Sequence, residues 1–253
     1  MGLTITNDDG IRILTLDEPA RRNPAGHGVR LALRDALAEA ERDPGVAGVV
    51  ITGAGGQFSA GGDIRDQQGV TDIHIARERF TVARELMGRM ARFSKPLVAA
   101  VEGWAAGGGF SLAAVCETVV AAEDARFAAS FGGVGLIPDM GLLATLSARI
   151  GAGRAQRIFL SSGRLDAAEA LRLGAIDEIA PPGGALSRAT QVAREAAAVA
   201  PLPRMLVKDW FAAEIDRALD YERELQPFLM FSEDAAEGRA AFFEKRKPAF
   251  KGK

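Results

Sequence analysis

The spacing of apolar residues changes period again and again along this chain. From Ile11 to Leu16, Val46 to Thr52, Leu97 to Val101 and Glu117 to Ala122, apolar and β-branched residues form short runs bounded by Gly, Pro or charge, which predicts strands. Residues 1 to 6 read as an opening strand and 176 to 180 as a brief one. Between these runs the period lengthens to that of a helix: Val29 to Glu41, then residues 72 to 93, with Ile75, Phe80, Val82, Leu86, Met87 and Met90 at the apolar positions. Further helices are predicted over Ala106 to Cys116, Met140 to Ile150, 153 to 161 and 166 to 173. Pro181, Pro182, Gly183 and Gly184 interrupt the pattern, and beyond Pro203 every segment reads as helix. The alternation predicts an α/β core over residues 1–200 and a helical region over 201–253. Periodicity leaves the arrangement of the sheet open.

Composition narrows the function classes. The chain has 253 residues, 48% of them hydrophobic, enough for a full core. Its formal charge of −2 gives no global attraction to nucleic acid or an anionic membrane, so neither is expected as a partner. Four of the six lysines fall in the last nine residues, a local basic tail. A single Cys116 excludes an intramolecular disulfide, and with only His27 and His74 beside it no metal-ligand spacing exists, so no metal is expected. Asp8 and Asp9 fall where a signal peptide would be apolar, which predicts a reducing, cytoplasmic setting. Positions 1 to 6 also fit the loose myristoylation pattern, although the strand reading accounts for the same residues. Residues 97–116 hold one charge, Glu102, and are long enough to span a bilayer, but four glycines and Ser111 favour a buried strand–turn–helix.

Two glycine-rich segments carry the candidate chemistry, Phe58-Ser59-Ala60-Gly61-Gly62-Asp63-Ile64 and Gly103-Trp104-Ala105-Ala106-Gly107-Gly108-Gly109-Phe110-Ser111-Leu112. Without a Cβ, glycine lets a ligand oxygen approach main-chain N–H groups, and two such runs side by side would make an oxyanion hole. Gly109-Phe110-Ser111-Leu112-Ala113 is also close to the nucleophile elbow of serine hydrolases. In that fold the histidine follows the serine, whereas His27 and His74 both precede Ser111. No dinucleotide fingerprint or Walker lysine is present.

Taken together, these segments resemble the enoyl-CoA hydratase/isomerase (crotonase) family, and the similarity extends over nearly the whole chain. It includes Asn23 in an early loop, Phe127-Ala128-Ala129-Ser130-Phe131, Gly135-Leu136-Ile137-Pro138-Asp139-Met140-Gly141, and the ending Ala241 to Phe250. The resemblance implies a ββα spiral core with a C-terminal helical oligomerisation region, a homotrimer or dimer of trimers, and an acyl-CoA thioester as substrate, with coenzyme A part of that substrate and no separate cofactor. It implies that the N–H groups of Gly62 and Gly108 hold the thioester oxygen as it becomes an enolate. It places Arg21, Arg22, Ala60, Gly61, Ile64 and Arg65 along the coenzyme A moiety, with Phe242 and Lys245 reaching its nucleotide end.

The resemblance is less specific about the reaction. Hydration needs water held between two carboxylates, and the family's two glutamate positions are Ser111 and Phe131 here. Asp139 remains. A double-bond isomerase needs one base that takes a proton from C2 and returns it at C4, and isomerases of the Δ3,Δ2-enoyl-CoA and 2-(1,2-epoxyphenyl)acetyl-CoA kind place an acid at the Asp139 position. The expected activity is therefore enoyl-CoA isomerisation with Asp139 as base. Hydratase, hydrolase or decarboxylase chemistry and a silent acyl-CoA binder are the alternatives. Asp139 also sits where a helix N-cap would be, and Glu102, Asp72 and His74 are the reserve candidates for the base.

Overall fold

The computed structural model describes residues 2–253, the side chains of residues 67 and 68 excepted. In chain order the elements are β1 (Leu3–Asp8), β2 (Ile11–Leu16), α1 (His27–Arg42), β3 (Gly48–Gly53), α2 (Ile64–Gln68), α3 (Ile73–Arg92), β4 (Leu97–Val101), β5 (Trp104–Ala106), α4 (Gly108–Ala114) and β6 (Thr118–Ala122). There follow β7 (Arg126–Ala128), α5 (Leu142–Ile150), α6 (Ala152–Ser161), β8 (Arg164–Asp166), α7 (Ala167–Leu173), β9 (Glu178–Ala180), α8 (Ala185–Ala197), α9 (Pro201–Met230) and α10 (Glu233–Glu244). Met1 of the myristoylation pattern lies outside the described residues, and β1 accounts for the residues after it.

A six-stranded sheet, ordered β1-β2-β3-β4-β6-β9, is parallel except for the β1–β2 hairpin, and a smaller sheet has the order β5-β7-β8. The chain winds between them as a spiral: β4 in the large sheet, β5 in the small one, then α4; next β6, β7 and α5. An earlier turn repeats the plan, since Ser59 after β3 makes an isolated parallel bridge to Ala105 of β5. Both faces of the large sheet are covered. Val49 and Ile51 face the main core with Phe58, Leu86, Phe110 and Phe127, whereas Val50, Val98 and Val120 pack under α8 against Ala185, Ala189 and Val192. Burial on both faces explains why these strands read as unbroken apolar runs.

α9 lies along α3 in the same chain. Arg77 pairs with Glu224 at 2.8 Å, Arg84 with Asp220 at 2.6 Å and Arg92 with Asp216 at 2.5 Å, while Ala212 and Leu219 join the main core. Leu202, Leu206, Trp210, Phe211 and Phe228 of the same helix are exposed. The three-residue strands of the small sheet and α8 went unread in the sequence, the strands being too short to show a period. Trp104 is half-buried with Arg164 over its ring at 5.7 Å. Helix ends at Glu244, and the remaining tail folds back as the N–H groups of Lys251 and Gly252 donate to Asp234 at 2.6 and 2.8 Å.

Candidate active site

Main-chain bonds bring the two glycine segments together. Ser59 N–H donates to the Trp104 carbonyl and Ala106 N–H to the Ser59 carbonyl, both at 2.9 Å. This register lays Gly61 and Gly62 against Gly107 and Gly108. Close approach of the two segments requires glycine at Gly61 and at Gly109. Gly61 has φ +91°, and a Cβ there would lie 2.5 Å from the Ala106 carbonyl oxygen; on Gly109 it would lie 2.6 Å from that of Ser59. The Gly62 nitrogen lies 3.6 Å from where a Cβ of Gly108 would be. Neither the Gly62 nor the Gly108 N–H donates to an acceptor among the described residues. Two unengaged donors from adjacent spiral turns can therefore share one oxygen ligand.

The loop from Arg21 to Ala25 supports this pair. Asn23 is buried in a left-handed conformation, φ 54°, and its amide donates to the Ala54 and Gln57 carbonyls at 2.8 and 2.6 Å. Ala25 N–H donates to the Gly61 carbonyl at 2.7 Å, and Ala60 N–H to that of Arg22 at 2.8 Å. Arg21 forms ion pairs with Asp63 and with Glu18, so its guanidinium fixes the glycine loop. Asp63 also accepts from the Arg65 N–H at 3.0 Å. Arg22, Ala60 and Arg65 are exposed and Ile64 half-buried.

Asp139 is buried just before α5, yet it is not that helix's cap. The N-cap is Gly141, which has no side chain to do the work. Burial pushes the Asp139 carboxyl above the usual carboxylate range, opposed by the positive charge of Arg30 and a hydrogen bond from Gln226. The loop is strained and strongly held. Met140 adopts φ 55°, unusual for a residue with a side chain. Its neighbour Gly141 donates its N–H to both oxygens of Glu222 at 3.0 and 3.2 Å. Gln226 exchanges two hydrogen bonds with the Ile137 main chain, at 2.8 and 3.2 Å, and reaches Asp139 Oδ2 at 3.4 Å. Ser111, on α4, donates from Oγ to the Asp139 carbonyl at 2.8 Å and so ties the base loop to the helix that follows Gly107. Phe131 is buried with its ring 3.9 Å from a Cβ built on Gly107, in keeping with an apolar wall.

The reserve acids have other tasks. Glu102 accepts from Gly183 and Ala185 N–H at 3.1 and 3.0 Å and caps α8. Asp72 caps α3 through the His74 and Ile75 N–H groups, and His74 is exposed. Phe242 is exposed against Phe243, ring centroids 5.6 Å apart, and Lys245 ends α10 in a left-handed conformation. Phe242 lies on α10 and Lys245 just beyond it, both exposed. Among the described residues no group of three or more His, Cys, Asp or Glu side chains could hold a metal, and no helix is long and apolar enough to cross a membrane.

Sequence reasoning missed Arg30, Glu222 and Gln226. Arg30 is buried beside Gly62, and burial lowers its hold on its proton. Glu222 is pushed up to about 9, mainly by burial, and main-chain N–H donors at Gly141 and Met140 oppose the shift. A polar residue at an otherwise apolar helical spacing is the one signal these positions offered.

A family model described as enoyl-CoA hydratase/isomerase matches residues 6–253. The chain is 34% identical to the 1,2-epoxyphenylacetyl-CoA isomerase of Escherichia coli over 255 residues, covering 97% of each protein. It is 32% identical to the 2,3-dehydroadipyl-CoA hydratase of the same organism, covering 99% of each. The crystal structure of an enoyl-CoA hydratase from Mycobacterium avium subsp. paratuberculosis superposes with a TM-score of 0.89 at 32% identity, covering 99% of both chains.

Proposed function

The chain belongs to the enoyl-CoA hydratase/isomerase family, and on that premise we propose that it is an enoyl-CoA double-bond isomerase with Asp139 as its base. One observation carries the reading: Asp139 is a buried carboxylate that caps no helix, on a loop that packs through Met140 and Ser111 against the unengaged Gly62 and Gly108 N–H donors. The family resemblance adds that Ser111 and Phe131 stand at the positions where hydratases carry their glutamates. The thioester oxygen sits between the Gly62 and Gly108 N–H groups, which stabilise negative charge as it develops on that oxygen. Asp139 removes a proton from C2. The enolate forms, and the same carboxyl returns the proton at C4, so the double bond moves into conjugation with the thioester. Burial suits Asp139 to the task, because a raised pKa makes the carboxylate a stronger base and its acid a useful donor. Ser111 and Gln226 orient the loop and take no part in proton transfer.

Arg65, Phe242 and Lys245 serve the nucleotide end of coenzyme A. The exposed apolar face of α9 supports a homotrimer or a dimer of trimers, and a monomer in light scattering at micromolar concentration would remove that assembly. The activity is tested by supplying a 3-enoyl-CoA and a 2-enoyl-CoA in parallel. Conversion of the first to the conjugated thioester with slow hydration of the second is expected. Rapid hydration of the 2-enoyl-CoA would show that Ser111 and Phe131 do not exclude hydratase chemistry.

A further inference from the structure

Arg30 takes no part in the proton transfer proposed for Asp139, yet it is buried beside the site. It sits in the first turns of α1 and is 9% exposed. Its Nε donates to the Ala25 carbonyl at 2.9 Å, which fixes the plane of the guanidinium and leaves its terminal nitrogens free of that bond. One of them, Nη2, lies 3.5 Å from where a Cβ on Gly62 would stand, so the positive charge lies against an oxyanion donor. Asp139 and Asp66 act on it through space, yet no carboxylate among the described residues forms an ion pair with it. Arg79, the other cation close by, is engaged with the Asp66 carbonyl at 2.8 Å.

A buried guanidinium without a carboxylate in contact is costly, and leucine or methionine would fill the same place without that cost. A charge that arrives with the ligand accounts for the arginine. The planar fork matches a carboxylate through two parallel hydrogen bonds, whereas a hydroxyl or ketone would leave the charge uncompensated. The enolate oxygen is already met by two main-chain N–H groups, and the phosphates of coenzyme A are at the opposite end of the molecule from the thioester, so any further anion beside Gly62 belongs to the acyl group.

We propose that Arg30 is a specificity-determining residue that binds a carboxylate carried by the acyl chain, making thioesters of short dicarboxylic acids the preferred substrate class. The assignment rests on the reading of Gly62 and Gly108 as thioester oxyanion donors. Calorimetric titration of the wild-type protein with succinyl-CoA and glutaryl-CoA against butyryl-CoA and valeryl-CoA tests it, since each pair differs only in a terminal carboxylate or methyl. At least one dicarboxylate thioester is expected to bind about tenfold to a hundredfold more tightly than its neutral partner, the range of a charge-assisted hydrogen bond. Arg30→Met should erase that preference and Arg30→Lys should restore part of it. Equal or weaker binding of both dicarboxylates by the wild-type protein overturns the proposal and leaves the acyl-CoA reading standing. Binding of none of the four thioesters overturns both.

Discussion

The glycine pair and the Asp139 loop touch through Ser111, yet they are assembled in different ways. The glycine pair is made of main chain: Ser59 bridges Ala105, and donors from neighbouring turns of the spiral fall side by side. The base loop is held by side chains from α9, Glu222 and Gln226, whose partners lie 81 to 89 residues earlier in the chain. A main-chain site is indifferent to most substitutions but intolerant of an added Cβ where the segments close up, at Gly61 and Gly109. A carboxylate site can be disabled by changing one atom, and its acidity is set by whatever packs against it.

The largest expected effect comes from Asp139→Asn. It keeps the shape of the side chain and removes its basicity, so isomerisation of a 3-enoyl-CoA should fall by roughly 10²–10⁴-fold with acyl-CoA affinity and thermal stability close to wild type. Turnover left intact would take Asp139 out of the mechanism. The corresponding break on the main-chain side is Gly109→Ala. A methyl 2.6 Å from the Ser59 carbonyl must push the two segments apart, and loss of one donor geometry costs roughly 10²–10³ in turnover. Unchanged turnover would mean that the segments yield without disturbing the hole. Crossing the two variants sharpens the comparison, because the Asp139 variant should still bind acyl-CoA whereas the Gly109 variant should lose grip on the thioester as well.

This division also marks what could be read without coordinates. Strands Ile11–Leu16 and Leu97–Val101 were legible to the residue: burial on both faces turns the second into an apolar run between clear stops, and the first sets Arg12 and Thr15 at half-buried positions among apolar ones. The glycine segments were legible because their function is local. β5, β7 and β8 were not, each being three residues long and specified by its neighbours in the small sheet. Asp139 could be named as an acid, but not distinguished from a cap, because that depends on Gly141 starting the helix two residues later. Glu222 and Gln226 were hidden because polar residues on a long helix ordinarily face water, and only the packing of α9 against the 137–141 loop turns them inward.

Glu222 tests the side-chain half through pH. Its carboxyl is held at about 9 in the fold against an ordinary value of 4.5, and Asp139 is shifted in the same direction. Below the ordinary value Glu222 is protonated in both folded and unfolded chains. As pH rises through the window between the two values, the unfolded chain releases the proton and the folded one keeps it, so stability falls. The wild-type melting temperature should decline from about pH 5 to about pH 9, and Glu222→Gln should flatten most of that slope, because glutamine stays neutral and still offers an oxygen to the Gly141 N–H. The variant should be the more stable protein at the alkaline end. An unchanged slope would mean that the buried carboxyl ionises freely. Activity should fall as Glu222 ionises, since a second negative charge then faces Asp139.

The smallest effect should come from Ser111→Ala, which removes the hydroxyl that joins the two regions. Ser111 Oγ donates to the Asp139 carbonyl at 2.8 Å and lies 3.3 Å from that of Gly107. Losing it should cost about 0.5–1.5 kcal/mol of stability, because the Asp139 carbonyl keeps the Leu142 N–H as a donor at 3.3 Å. Turnover should drop by less than about tenfold, because a general base held by Gln226 and by the Glu222 contact to Gly141 keeps its place. The same variant separates the elbow reading from the positioning one. A nucleophilic serine cannot be lost without a fall of several orders of magnitude, whereas a tether can. Should Ser111→Ala match Asp139→Asn in severity with its fold intact, the two regions act as one unit, and main-chain and side-chain construction cease to be separable here.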